Sequence, residues 1–206
     1  MANSVPKKSG VGAGAAVLLI LGVIFGHEGG FVDDANDPGG ATRYGITEAV
    51  ARANGYEGAM SVLPLETAKD ILISQYIKKP GFMPLIEIDP ALAHEVIDSG
   101  VNAGPRRPSC WFQEGLNAFN NRGEIYPDVK VDCDIGPATI GAYRILRSKR
   151  GPLACELMMK YLDGKQLDHY ASLGRNNSKF ETFMVGWVRT RIGNVKFEKC
   201  YSGEAV

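Results

Sequence analysis

Neither sign of charge predominates in this chain: its 206 residues hold 23 Lys+Arg against 23 Asp+Glu. No net field draws it to a polyanion, and no basic stripe with interleaved aromatics is present to grip nucleic acid. Cysteine is scarce as well. The four present, Cys110, Cys133, Cys155 and Cys200, all fall in the C-terminal half. They are too few for a disulfide-built scaffold and lack any CxxC or His-spaced pattern, and sequence cannot choose among their pairings. The three histidines, His27, His94 and His169, are scattered, so no metal site is expected. There is no internal repeat, no low-complexity run and no clear interdomain linker. With 45% hydrophobic residues, the chain is long enough for one sizeable core and a small appended lobe.

What is present begins with an apolar run. From Ser9 to Gly26, SGVGAGAAVLLILGVIFG carries no charge, and Lys7-Lys8 stand before it. As a helix this run would cover about 27 Å, just short of a hydrocarbon core. The two lysines favour an N-terminus held in the cytoplasm. Its glycines and alanines bury little surface, so the hold on lipid would be marginal, which suits a segment that must later leave the bilayer. The run ends in VIFGHEGG, which offers no small-x-small cleavage site. A releasable signal anchor is the expectation carried forward. A buried first helix of a soluble enzyme, or a cleaved or permanently anchored segment, stay open beside it.

The stretch from His27 to Ile46, HEGGFVDDANDPGGATRYGI, joins one carboxylate to the end of that run and gathers more a short way on. Gly29-Gly30 end the helix, Phe31 and Val32 are expected to pack beneath the turn, and Pro38-Gly39-Gly40 is a strong turn signal. Thr42 and Tyr44-Gly45-Ile46 read as a short extended piece, and Thr47 opens a helix that Gly55 closes. Breaking a glycosidic bond needs an acid to protonate the leaving oxygen and a second carboxylate as base, nucleophile or charge stabiliser. Glu28, on the end of an apolar helix, is the natural acid, because partial desolvation would keep it protonated near neutral pH. Asp37 stands nine residues on, with Asp33 and Asp34 as competitors, and Thr42 could position a water or an Asp37 oxygen.

Periodicity predicts helices over residues 64–79, 90–101, 108–119, 135–146, 152–167 and 179–192. Residues 90–101 are expected to put Leu92, His94, Val96 and Ile97 on one face. The architecture is therefore mainly α, with a small β-hairpin or extended element near residues 31–46.

HEGGFVDDANDPGGATRYGIT resembles the opening signature of the muramidases of glycoside hydrolase family 108, with E-G-G, D-P-G-G, T and G-I in this order. It is similar also to the Glu-x8-Asp-x4/5-Thr spacing of phage-type lysozymes, met by Glu28, Asp37 and Thr42. DSGVNAG (98–104) resembles the family's D-x-x-V-N-x-G, QEGLN (113–117) its L-Q-x-x-L-N, and VDCDIGPAT (131–139) its V-D-G-x-x-G-P-x-T. Gly186-Trp187 with Arg189 or Arg191 resembles its closing G-W-x-x-R. Two departures stand out: Cys133 replaces the glycine of V-D-G, so that turn is differently built or tied by a disulfide, and the first helix is apolar, not amphipathic.

The resemblance implies a lysozyme-like fold in three parts. Residues 1–26 would be a signal-anchor segment that becomes the first helix after release, and 27–107 the catalytic region. Residues 108–206 would be a helical region resembling the family's peptidoglycan-binding segment and packed into the same globule. It implies a phage endolysin that hydrolyses the β-1,4 bond between N-acetylmuramic acid and N-acetylglucosamine for host lysis and stays inactive while tethered. A lytic transglycosylase and a non-catalytic wall-binding protein are the alternatives. Glu28, Asp37 and Thr42 are the expected catalytic residues, and Tyr44, Asn102 and Gln113 the expected substrate-binding ones, with Tyr76 and Trp111 as further aromatics for a sugar. No cofactor and no nucleic acid are expected. The partners would be peptidoglycan and, transiently through residues 9–26, the inner membrane, with the N-terminus cytoplasmic. After release the protein would work as a monomer in the periplasm.

Overall fold

A computed structural model describes residues 13–27, 30–33 and 40–202. Helix α1 (Ala13–His27) opens the described chain. Ala16, Val17, Ile20 and Leu21 are buried in the core, while Leu18 is 63% exposed. The spacing of the buried four puts them on one face, which packs on α4 (Met83–Ile88) and α5 (Pro90–Ala103). Among the described residues no helix is long and apolar enough to cross a membrane.

A three-stranded antiparallel sheet follows, in the order β1 (Phe31–Val32), β2 (Thr42–Arg43), β3 (Ile46–Thr47). Two sequence expectations change here. Phe31 and Val32 do not pack beneath a turn: they are 45% and 55% exposed on β1, the edge strand of the sheet among the described residues. Tyr44-Gly45-Ile46 is not one extended piece. Arg43 pairs with Ile46, so Tyr44 and Gly45 form a two-residue hairpin loop. Their φ values of 53° and 73° are both left-handed, which is the type I′ geometry that matches strand twist. Ile46 is fully buried and anchors the hairpin. Thr47 caps α2 (Glu48–Ala53), its hydroxyl accepting from the Val50 amide at 3.4 Å, as the sequence predicts.

The helix expected over 64–79 is α3 (Leu65–Leu72) continued by a wider π-helical turn over Ile73–Lys78. Helix α5 is the axis of the molecule. Every residue from Ala91 to Gly100 is buried, because α1, α4, α6 (Arg106–Phe119), α8 (Pro152–Asn176) and α10 (Lys199–Ser202) surround it. Periodicity predicts one buried face there; neighbours on all sides bury the rest, including three polar side chains.

At its head, Asp89 accepts from Tyr143 Oη at 2.5 Å and Arg147 Nε at 2.7 Å, both on α7 (Pro137–Arg150). Helix α8 runs to Asn176, past the expected end at residue 167, and spans about 38 Å. A short 3₁₀ turn then leads into α9 (Glu181–Arg191). Disulfides join Cys110 of α6 to Cys133 and Cys155 of α8 to Cys200 of α10. The fold is mainly α and lysozyme-like, with the small sheet beside it.

Candidate active site

The expected catalytic residues lie in sequence between the end of α1 and Ile46 of β3. Glu28, Asp34 and Asp37 fall outside the described residues. What the structure supplies is the frame that flanks them. Glu28 follows His27, the last residue of α1, and Asp37 lies in sequence between β1 and β2. The register of that hairpin pairs Val32 with Thr42, so the loop begins and ends at one paired position. Asp33 is exposed at the loop's first residue.

The frame is held at several points. Thr42 is half-buried on β2 and its hydroxyl donates to the Gly40 carbonyl at 3.2 Å, leaving the oxygen's lone pairs to accept. The Ala41 carbonyl receives the Glu48 amide at 2.8 Å, which ties the end of the loop to α2. Tyr44 stands at the hairpin tip, half-buried, with the Arg43 guanidinium 5.0 Å from its ring centroid and Arg43 Nη2 donating to its hydroxyl at 3.3 Å. A tyrosine in left-handed backbone costs on the order of 1–3 kcal/mol; the guanidinium over its ring holds the side chain at the tip.

Asn102 and Gln113 have different surroundings. Asn102, at the end of α5, is half-buried, and its amide donates to the Asp98 carbonyl at 2.9 Å. It lines an open groove of about 380 Å³ with residues of α9, among them Phe183 and Trp187. Gln113 is 1% exposed. Its Nε2 donates to Asp132 Oδ1 and the Asp134 carbonyl, both at 2.9 Å, and to Thr139 Oγ1 at 3.3 Å, while its Oε1 accepts from the Cys133 amide at 2.7 Å. That amide is engaged in folding the VDCDIGPAT segment onto α6. Tyr76 and Trp111 are likewise core residues, at 6% and 7% exposure. Cys133 keeps a φ of 66°, the conformation glycine would take in V-D-G, and its bond to Cys110 fixes it there.

Around Asp98 the interior is polar. Arg191 Nη1 donates to Asp98 Oδ1 at 2.9 Å, and Asn194 Nδ2 to Oδ2 at 3.0 Å. Burial pushes the Asp98 carboxyl up to about 7, the Asn194 bond opposing and the neighbouring Asp163 adding to the rise. One turn earlier, Glu95 is 1% exposed and is raised well above the usual carboxylate range, chiefly by burial and then by Asp163 and Asp98. Ser99 hydrogen-bonds to Glu95 Oε1 and to Gln166 Oε1, and Gln166 Nε2 donates to Tyr170 Oη at 2.7 Å. Among the described residues no cluster of three or more His, Cys, Asp or Glu could hold a metal ion.

Sequence reasoning passed over the aromatic stack at this end. Trp187 lies nearly parallel to Tyr170, with centroids 5.0 Å apart, and to Phe183 at 5.7 Å. The G-W-x-x-R signature was the available signal for it, and Arg191, not Arg189, is the buried member.

Residues 21–104 match the family model described as Glycosyl hydrolase 108, and residues 107–192 match one described as a predicted peptidoglycan domain. Among solved structures, the chain is similar to Brucella abortus SagA. The TM-score is 0.67 at 25% identity, over 90% of this chain and 94% of that one. No curated protein matches the chain.

Proposed function

Since this chain is a glycoside hydrolase, with a glycosyl hydrolase 108 domain and a peptidoglycan domain, and acts on peptidoglycan, we propose that it is an N-acetylmuramidase of the endolysin kind. It hydrolyses the β-1,4 bond between N-acetylmuramic acid and N-acetylglucosamine and serves host lysis for a bacteriophage. The observation that carries this is the glycosyl hydrolase 108 match over residues 21–104, which spans the E-G-G and D-P-G-G runs.

On this reading Glu28 donates its proton to the glycosidic oxygen as the bond breaks. Asp37 is the second carboxylate, stabilising the developing positive charge or activating water, and Thr42 orients that water or an Asp37 oxygen. Glu28→Gln keeps the shape and removes the acid. The variant is expected to lose at least 100-fold in clearing of cell-wall suspensions, in line with general acid catalysis of about 10²–10⁴-fold. Clearing at the wild-type rate would remove Glu28 from the mechanism. Reducing N-acetylmuramic acid ends are the expected product; anhydro ends would make the enzyme a lytic transglycosylase.

We further propose that residues 9–26 tether the new protein to the inner membrane, N-terminus in the cytoplasm, and that release into the periplasm lets α1 dock and the monomer become active. Three features support it. The run is uncharged and follows two lysines. The solvent side of α1 carries Leu18 and Leu19, at 63% and 42% exposure, where an ordinary amphipathic helix would carry polar residues. Both disulfides belong in an oxidising compartment. Uncleaved protein should pellet with membranes and turn soluble when the proton-motive force collapses. Recovery of only a chain shortened by roughly 25 residues, the length of an ordinary signal peptide, would sink the tether.

A further inference from the structure

Two signature runs lie more than eighty residues apart, DSGVNAG at 98–104 and GWVRTR at 186–191, whose last arginine stands one place beyond that of G-W-x-x-R. They belong to the two separately matched segments, and the fold joins them. Asp98 and Arg191 form an ion pair with side chains 2% and 7% exposed. Removing two charges from water to form such a pair gives little net stability; what it fixes is the position of α9 against the end of α5. Directly above the pair, Asn102 of α5 faces α9 across the groove.

The α9 wall has a regular construction. Phe183, Trp187 and Arg191 recur at intervals of four, and so do Thr182, Gly186 and Thr190. Two adjacent stripes of one helix therefore line the groove for about 14 Å, long enough for more than one pyranose ring. Trp187 is held against the buried Tyr170, whose hydroxyl is in turn bonded by Gln166, so the platform is rigid before any ligand arrives. Gly186 has open space where a side chain would stand.

We propose that this groove is a holding site for the wall glycan, taking an uncharged N-acetylated amino-sugar strand across the junction of the two segments. This rests on the peptidoglycan reading above. Aromatic rings offer apolar faces to the C–H face of a sugar, and hydroxyl and amide groups at the edge meet its hydroxyls and acetamido group, the mixture typical of small-molecule sites. The one charged lining residue, Arg191, is engaged by Asp98, so the groove favours glycan over the acidic peptide stem. Its described lining has no carboxylate; it grips a strand, and the acid is supplied from elsewhere.

The test uses the full chain in a Glu28→Gln background, so that bound strands are not cut, co-sedimented with purified peptidoglycan sacculi. Phe183→Ala removes a ring, and Thr182→Arg fills the groove from an exposed position without touching the core. Each is expected to weaken sedimentation about tenfold, the scale of truncating an anchoring side chain. Val185→Ser, 76% exposed on the same helix and outside the groove, is expected to change nothing. A soluble N-acetylglucosamine tetramer should compete with sacculi. Wild-type sedimentation of Thr182→Arg, or competition by stem peptide and not by the tetramer, overturns the proposal. Neither outcome bears on Glu28, whose part is read from reducing-end release by the otherwise unaltered enzyme.

Discussion

Glu95 shows how a single buried residue makes stability depend on pH. Its carboxyl is raised well above its ordinary value, with burial the largest cause. Below roughly pH 4.3, the value for an unfolded glutamate, both states hold the proton and burial brings no penalty. As pH rises above that, the unfolded chain releases the proton and the folded one keeps it, so stability falls by up to about 1.4 kcal/mol per pH unit until the folded value is reached. Glu95→Gln removes the titration. The variant should gain stability over the parent at pH 7.5 and little at pH 5, measured by urea unfolding at both; an equal difference at the two pH values would refute it. Nothing in the sequence separates Glu95 from a surface glutamate, because the helix faces that bury it come from other parts of the chain. Gln113 is marked in the sequence only by its place in a family signature; that its amide bonds four times to the VDCDIGPAT segment depends on a fold that brings the two together.

Among the elements, the helices were largely legible because each carries an apolar period and a Pro, Gly or Thr boundary, and α5 through α9 appear within a few residues of expectation except at the end of α8. Helix α4 gave no such signal: six residues are too few to show a period. The hairpin was located but its turn was misread, since a left-handed Tyr44 has no sequence mark of its own. Helix α1 is where one element serves two solvents. Ile20 is fully buried, and Ile20→Ala should cost about 2–5 kcal/mol in the folded protein. Leu18 points to water, so Leu18→Lys should leave stability within roughly 0.5 kcal/mol. In a bilayer the same lysine would stand near the middle of the apolar run, at about 2.5–3.5 kcal/mol. Fractionation of cells should therefore show Leu18→Lys leaving the membrane pellet while Ile20→Ala stays in it. Equal pelleting of Leu18→Lys and the parent would remove the tether.

Over the whole molecule the two bridges differ in access. Cys155 and Cys200 are buried, at 0% and 2% exposure, while both cysteines of the other bridge are partly exposed. Mild reductant should open Cys110–Cys133 first, a thiol-trapping experiment reading the order, and trapping of Cys155 and Cys200 first would contradict it. Each bridge closes a loop, 23 and 45 residues apart in sequence, and its loss should lower stability by about 2–4 kcal/mol. The Asp98–Arg191 contact has a consequence for inheritance. A recombination event near residue 105 would hand the carboxylate to one descendant and the guanidinium to the other. Each would keep a lone charge in a dry interior, at about 3–5 kcal/mol, a large share of what holds a domain together. Shuffling of these halves among wall-degrading enzymes is thereby penalised unless the incoming half brings the matching charge.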